Sequence, residues 1–288
     1  MAQPLARDLS PAAEAVQVAA LCRQRAEARL THACELTAFI MAAARAGIRR
    51  AHPHLDALAQ ARLLAAVQFG DEYAARVQQP PTIEGSMSIP AAILPVVRSF
   101  QQLNILYFVG GSIASSAYGM PRSTYDVDMV ADMRPQHVAP FVAALEGDYY
   151  VDRSAILDAL VHQSSFNMLH HATGINIDIF ASKGRPYDAE QFRRAQATTL
   201  PGAIEPVYLA SPEDVILNKL AWYELGNQVS DQQWRDVQGM LRVQGQALDY
   251  NYLRHWAAIL GLSALLDYAL RGERPPRPND EPQQRRLF

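Results

Sequence analysis

The sequence predicts an α+β fold in which a mixed β-sheet is flanked by helices and lies between helical N-terminal and C-terminal regions. Residues 1–79 carry apolar side chains at helical spacing with few breakers. Short apolar runs of strand length follow, among them Ile105–Val109 and the alternating Gly174–Ala181. Helix-capping residues and helical spacing return after residue 206. This order of elements indicates an α+β chain.

The composition is that of a globular protein with enough apolar residues for a sizeable core. The chain has 288 residues, of which 49% are hydrophobic and 19% charged, and this suits one large domain or two smaller ones. The formal net charge of -3 offers no global attraction for nucleic acid, so a polynucleotide would have to meet a local patch. No apolar run reaches the roughly 18 residues of a membrane span, and a cytoplasmic protein without a membrane partner is expected.

Residues 1–79 are predicted to form a helical N-terminal module with a regulatory or partner-binding role. Ser10 is a capping residue followed by proline, and no strong breaker follows until Gly47. His52-Pro53-His54 interrupts the pattern, and Leu55–Val77 resumes it. The apolar residues at helical spacing in this module include Leu36, Phe39, Ile40, Leu63, Leu64 and Val67.

Residues 80–90 are predicted to be a linker because they are rich in proline and contain little apolar material. Met87-Ser88-Ile89-Pro90 has the character of an independent protein start, which suggests that the N-terminal module is a fused gene. Under this hypothesis residues 88–288 fold cooperatively on their own.

Residues 91–205 are predicted to form the sheet-containing core. The strand Ile105–Val109 leads into the turn Gly110-Gly111-Ser112 and a short helix ending at Tyr118, and Tyr125–Ala131 forms the next strand. The further predicted elements of the core are a helix at Pro135–Leu145 and strands at Tyr149–Val151, Ser164–Leu169 and Gly174–Ala181.

Residues 206–271 are predicted to be a helical C-terminal region that completes a cleft, and residues 272–288 a disordered tail. Ser211 and Pro212 start one helix, on which Lys219 lies on or beside the buried stripe. Ser230 starts another helix, which carries Asp236. Two more helices are expected between residues 249 and 270.

Two features of the core indicate phosphate and metal chemistry. The Gly-Gly-Ser turn after a buried strand exposes backbone amides at a helix start, which is suited to holding phosphate. Asp126 and Asp128 project from one face of a strand, about 6–7 Å apart at their Cα atoms. Asp178 lies on a later strand whose other face is all isoleucine. Three carboxylates on one side of a sheet repel one another unless cations lie between them, and two divalent ions would fit.

At these residues the chain resembles the DNA polymerase β-like nucleotidyltransferases, and within them the AbiEii-type toxins and minimal nucleotidyltransferases. The resemblance covers roughly residues 89–241 and makes residues 91–205 the catalytic core. The matching motifs, in chain order, are Gly110-Gly111-Ser112, Arg122-x-Thr124-x-Asp126-x-Asp128, Asp178 in Ile-Asn-Ile-Asp-Ile-Phe, Ser211-Pro212-Glu213-Asp214-x(4)-Lys219 and Trp234-Arg235-Asp236-Val237. Tyr125 stands where a small residue is common, and the doubled glycine before Ser112 is a second mild departure.

The resemblance implies a role for each matching residue. Asp126, Asp128 and Asp178 would ligate two Mg²⁺ ions, with Mn²⁺ as an alternative, and Asp178 would also help deprotonate the acceptor. The nucleotide-binding residues would be Gly110, Gly111, Ser112, Arg122, Lys219 and Asp236. Lys219 would also act in catalysis as a point charge on the phosphates, while Asp236 would orient Lys219 or the acceptor.

The resemblance implies an enzyme that moves a nucleoside monophosphate from a nucleoside triphosphate to an RNA end, such as that of tRNA, or to a protein hydroxyl. A toxin-antitoxin or phage-defence context, with a cognate antitoxin or toxin as partner, is expected. Two alternatives stay open. One keeps the chemistry with a small-molecule acceptor of the aminoglycoside kind, and the other is a non-catalytic nucleotide-binding antitoxin or partner module.

Overall fold

The computed structural model describes residues 10–83, 85 and 88–276 of the chain. The hypothesised protein start at Met87 and most of the predicted tail, residues 277–288, lie outside them. In the described part of the chain, no helix combines the length and the apolar character of a membrane span.

The N-terminal region is helical, as predicted. Its helices are α1 (Pro11–Cys22), α2 (Ala26–Ala51), α3 (Ala57–Phe69) and α4 (Asp71–Arg76). The structure differs from the prediction at two breaks. The first helix ends at Cys22, and the Arg29 side chain binds the Leu21 and Gln24 carbonyls at this break, at 2.9 and 2.7 Å. Gly70, at φ +91°, separates α3 from α4, whereas Gly47 lies inside α2.

A mixed seven-stranded sheet forms the centre of the molecule, and this confirms the predicted α+β fold. The strand order is β3-β4-β5-β2-β1-β7-β6, with β2–β5 and β1–β7 parallel and the remaining pairs antiparallel. The strands are β1 (Tyr107–Val109), β2 (Asp126–Ala131), β3 (Tyr149–Tyr150), β4 (Ser165–His170), β5 (Asn176–Ala181), β6 (Gln196–Thr199) and β7 (Pro206–Leu209).

The remaining helices pack around this sheet. They are α5 (Ser88–Gln102), α6 (Gly111–Tyr118), α7 (Pro135–Leu145), α8 (Arg153–His162), α9 (Pro186–Arg194), α10 (Pro212–Leu225), α11 (Asp231–Gln244), α12 (Tyr250–Ile259) and α13 (Ser263–Arg271). α7 has the predicted bounds. None of α8, α9 and β6 is predicted from the sequence. Of these, α9 is a short polar segment and β6 shows no apolar alternation.

Two segments differ from their predicted character. Ser88, Ile89 and Pro90 form the buried first turn of α5, although the linker was predicted to run to residue 90. β7 is a strand at the start of the region predicted to be helical, and its Leu209 pairs with Val109 of β1. Sheet pairing of this kind depends on a distant strand and leaves no local signal.

The N-terminal helices pack directly on the core. Arg29 of α2 is 5% exposed, and its Nε donates a hydrogen bond to the Ala117 carbonyl of α6 at 2.5 Å. The Thr37 hydroxyl accepts a hydrogen bond from the Thr124 backbone N–H at 3.1 Å, just before β2. α2 therefore buries a stripe of Leu30, Ala33, Cys34 and Thr37, while Leu36, Phe39 and Ile40 of the predicted apolar spacing are exposed.

Candidate active site

Three carboxylates form a row on one face of the sheet. Asp126 and Asp128 lie on β2, and Asp178 lies on the parallel neighbour β5 directly opposite Asp128. Because side chains alternate between faces along a strand, all three project to the same side. The opposite face of these strands is fully buried core, formed by Val127, Met129, Ile177 and Ile179.

The environment of this acid row (Asp126, Asp128 and Asp178) opposes ionisation. Burial raises the pKa of each carboxyl above its ordinary value. The pKa of Asp178 rises to about 6, because burial and the charges of Asp128 and Asp126 outweigh a hydrogen bond from Asn176. Lys219 and the Ser112 backbone partly offset the effect of burial on the pKa of Asp128. A bound cation would relieve the same repulsion.

Asn176 links two members of the acid row. It is 3% exposed, and its Nδ2 donates hydrogen bonds to Asp178 Oδ2 at 3.0 Å and Asp126 Oδ1 at 3.4 Å. The amide thus holds two carboxylates that would otherwise repel each other. The motif resemblance gives Asn176 no role, although its place two residues before Asp178 on the same strand face is a usable signal.

The predicted glycine-serine turn lies beside Asp128. Gly110 donates its backbone N–H to the Asp128 carbonyl at 2.8 Å, and Gly111 adopts φ +51° at the start of α6. A Cβ at Gly111 would lie 1.7 Å from Asp128 Oδ2, so only glycine fits there. The Ser112 hydroxyl accepts a hydrogen bond from Arg122. A phosphate at this turn would have to share or replace that contact.

Lys219 and Asp236 form a buried ion pair at the edge of the acid row. Lys219 Nζ lies 2.7 Å from Asp236 Oδ2 and donates a hydrogen bond to Gln233 Oε1 at 3.0 Å. Burial raises the pKa of Asp236, but Lys219 and Arg122 outweigh it and hold that pKa below its ordinary value. Burial lowers the pKa of Lys219, and Asp236 opposes this change.

Arg122 connects this pair to the glycine-serine turn. Its Nε lies 3.2 Å from Asp236 Oδ1, while the same guanidinium donates to the Ser112 hydroxyl. The turn, Arg122, Asp236 and Lys219 therefore form one continuous polar network between β1–α6 and the helices α10 and α11. All six predicted nucleotide-binding residues lie in this network or in the turn itself.

The N-terminal region reaches the acid row through Tyr73 of α4. The Tyr73 hydroxyl donates a hydrogen bond to Asn176 Oδ1 at 2.9 Å and accepts one from Asn167. Burial raises the pKa of Tyr73 to about 12, and Asp178 adds to the effect. Arg76, also of α4, binds Asn167 Oδ1 at 2.7 Å. The sequence carries no local signal for this contact, since Tyr73 and Asn176 are joined only by the fold.

The donor set of the acid row suits a hard divalent ion. Carboxylate and amide oxygens are the ligands that Mg²⁺ accepts, and burial keeps the pKa values of all three carboxyls above their ordinary value although Lys219 and Arg122 lie nearby. As the side chains are placed, however, no group of three or more His, Cys, Asp or Glu residues in the described part of the chain converges tightly enough to hold a metal. Binding would require rotation of the carboxylates on strands that already place them on one face.

Comparisons with known proteins give structural similarity only. No protein-family model and no curated protein matches the sequence. A nucleotidyltransferase-like antigenic protein from Paracoccidioides brasiliensis is 17% identical with a TM-score of 0.38, over 65% of this chain and 93% of that one. The antibiotic-resistance factor ANT(2'')-Ia is 13% identical with a TM-score of 0.37, over 63% of this chain and 96% of that one. Similarity at this level does not identify the activity of this chain.

Proposed function

We propose that this protein is a magnesium-dependent nucleotidyltransferase. The observation that carries the proposal is the acid row of Asp126, Asp128 and Asp178, placed beside the turn in which only glycine fits at position 111. A phosphate-holding turn next to oxygen ligands for divalent ions is what nucleotidyl transfer requires. In the reaction the acceptor oxygen attacks the α-phosphorus, the bond to the β-phosphate oxygen breaks and pyrophosphate leaves.

In this proposal the acid row would hold two Mg²⁺ ions, or Mn²⁺ in their place. When bound, these ions would neutralise phosphate charge and make the acceptor hydroxyl more acidic. Asp178 would receive the acceptor proton at a carboxylate oxygen. Gly110, Gly111 and Ser112 would bind the triphosphate. Lys219 would stabilise charge on the phosphates, with Asp236 and Arg122 positioning it.

The acceptor we propose is an RNA end, such as that of tRNA, or a protein hydroxyl, in a toxin-antitoxin or phage-defence context in the cytoplasm. This part of the proposal rests on the motif resemblance to AbiEii-type proteins. A small-molecule acceptor is the alternative within the same chemistry. A resistance assay in an antibiotic-sensitive host separates it from the macromolecular acceptors.

The proposal is tested by label transfer. Protein, Mg²⁺, each α-labelled nucleoside triphosphate and total tRNA or cell lysate are incubated together, and label on RNA and on protein is measured separately. We expect transfer by the wild type and its loss in the Asp126→Ala/Asp128→Ala variant. Glu205→Ala, which alters an exposed surface ion pair with Arg98, is the matched control and should retain transfer. Equal transfer by wild type and the double variant would refute the proposal.

A second candidate function is nucleotide binding without turnover. The observation that favours it is that the Asn176 amide already binds Asp126 and Asp178, which occupies carboxylate oxygens that metal-dependent turnover needs. A ligand that binds only the folded state raises the unfolding midpoint. A midpoint raised by Mg²⁺ and nucleotide, with no label transfer to any acceptor, would favour this candidate over the enzyme.

A further inference from the structure

An aromatic pair borders the acid row on the side away from Asn176. Phe180 and Trp222, called the aromatic corner below, have ring centroids 5.8 Å apart with their planes at 64°. Phe180 follows Asp178 by two residues on β5 and shares its face, where it lies opposite Val130 of β2. Trp222 follows Lys219 by three residues on α10, which is about one helical turn.

The aromatic corner is therefore built from the same two elements that carry Asp178 and Lys219. α10 begins just after β7, and its buried Lys219 lies in the network beside Asp128. One turn later the helix brings Trp222 over Phe180. Strand β5 and helix α10 thus enclose a corner with a carboxylate and an ammonium group on one side and two aromatic rings on the other.

Trp222 differs from the other two tryptophans in its exposure. It is 52% exposed, whereas Trp234 is 6% exposed and packs on Tyr223 at 5.0 Å between centroids. Trp256 is partly buried against Tyr187 at 4.9 Å. A single exposed apolar side chain needs no explanation, but an open indole beside an acid row and a buried lysine offers a planar surface where a charged ligand would lie.

We propose that the aromatic corner stacks a nucleobase. The inference rests on the proposed function, because that function brings a nucleotide to the acid row and the turn. Every base has a π-face, so an indole next to phosphate-binding groups can stack on the base of a nucleotide whose phosphates those groups hold. The base belongs either to the nucleoside triphosphate or to the end of an RNA acceptor, and the two share this chemistry.

Intrinsic fluorescence at equilibrium tests the inference without requiring turnover. Full-length protein in Mg²⁺ is titrated with ATP, with inorganic triphosphate and with a short single-stranded oligoadenylate. We expect a base-containing ligand to quench Trp222 emission and inorganic triphosphate to leave it unchanged. Measured by equilibrium dialysis, because this variant lacks the reporting indole, Trp222→Ala should weaken binding of the base-containing ligand by roughly tenfold and leave inorganic triphosphate binding unaltered. Quenching by ATP assigns the corner to the triphosphate, and quenching by the oligonucleotide alone assigns it to the acceptor.

Two variants control for trivial effects. Trp222→Phe keeps an aromatic ring and should retain most of the affinity. Leu225→Ala removes another exposed apolar side chain, 74% exposed on the same helix, and should change nothing. Because Trp222 is half exposed, Trp222→Ala should fold, and an unchanged unfolding midpoint would verify this.

The inference fails if Trp222→Ala binds ATP and oligoadenylate as tightly as the wild type. In that case the exposed aromatic and apolar residues at the end of α10 are better described as a protein-contact surface. Failure of the proposed function has a different signature. If Trp222→Ala weakens the binding of ATP or oligoadenylate, but no label transfer occurs, the inference about the aromatic corner stands and the proposed enzymatic activity is refuted.

Discussion

Gly111 shows how one backbone position shapes the site. Its positive φ lets the chain turn from β1 into α6, and the missing Cβ leaves room for the Asp128 carboxylate. Gly110 precedes it in the same turn, but a Cβ there would meet no atom within 4 Å. Gly111 therefore has a steric reason to be glycine that Gly110 lacks, and the two residues form a natural pair of variants.

Gly111→Ala is expected to damage both folding and function. The new Cβ would displace Asp128, and the left-handed backbone would add strain, so we expect a loss of about 2–4 kcal/mol in the free energy of unfolding. Nucleotide binding should be lost with it. Gly110→Ala should cost less than about 1 kcal/mol by urea unfolding. Equal costs for the two variants would contradict this account of the turn.

We expect the Asp178 carboxylate to lower the stability of the folded protein at neutral pH while it supports activity. Its folded pKa of about 6 lies above the ordinary value of 3.8, so the folded state binds this proton more tightly than the unfolded state. Between these two values stability falls as the pH rises, and the cost is fully present above pH 6. In metal-free buffer, Asp178→Asn should therefore raise the free energy of unfolding by about 1–3 kcal/mol at pH 7.5 and hardly change it at pH 3.5.

The same variant should lose label transfer at every pH, since it removes the proton acceptor. Asp152 is a control for which stability should depend on pH in the opposite direction, because hydrogen bonds from Ser154 and Ala155 lower its pKa. Its contribution to stability is present above its ordinary pKa and is lost as the pH falls further. A stabilisation by Asp178→Asn that does not depend on pH would show that desolvation of the carboxylate is not the cause.

At the scale of elements, α4 is the segment whose position the sequence least foretells. This helix of six residues follows Gly70 and lies over the acid face. Arg76 stacks over Tyr73 and Tyr150, with its guanidinium carbon 5.0 and 5.1 Å from their ring centroids. The contacts tie α4 to β3, β4 and β5 beside the acid row. They support the proposed regulatory role of residues 1–79, in which α4 limits access to Asp126 and Asp178.

Removal of one hydroxyl tests this role. Tyr73→Phe keeps the ring but removes the hydrogen bonds to Asn176 and Asn167, so α4 should open more readily and label transfer should rise by roughly threefold to tenfold. Tyr250→Phe is the matched control, because its hydroxyl binds the Gly245 carbonyl at 2.9 Å outside the acid row. A fall in transfer with Tyr73→Phe would mean that Tyr73 supports the reaction rather than restricting it.

At the scale of the whole molecule, the N-terminal helices and the core are joined by buried polar contacts. The guanidinium of Arg29 binds carbonyls of α1, of the α1–α2 connection and of α6 simultaneously. At the far end of α1, Glu14 pairs with Arg242 of α11 at 2.9 Å. Such contacts predict that the N-terminal helices and the core unfold together.

The variant Arg29→Met tests whether the N-terminal helices and the core unfold together. The variant leaves buried carbonyls without donors, so we expect one cooperative transition whose free energy of unfolding falls by about 3 kcal/mol. Arg25→Met, which alters an exposed pair with Glu27, should stay within about 0.5 kcal/mol. Two separate transitions in the wild type, monitored by circular dichroism and tryptophan fluorescence, would instead favour an independent core, as the fused-gene hypothesis holds.

The sequence by itself determined the features whose cause is local. The strict alternation of Asn176, Asp178 and Phe180 with isoleucines predicted the two faces of β5, and glycine after an apolar run predicted the β1–α6 turn. Capping by Ser10 and Ser211 predicted where α1 and α10 begin. Each of these signals lies within a few residues of the structure that it predicts.

Only the tertiary structure decided which of these features meet. It placed Tyr73 on Asn176 and Trp222 on Phe180. In α2 the buried stripe consists of Leu30, Ala33, Cys34 and Thr37, whereas Phe39 and Ile40 are exposed. The physical reason is that burial and pairing depend on elements far away in the chain, and their free energy comes from the packed whole rather than from local preference.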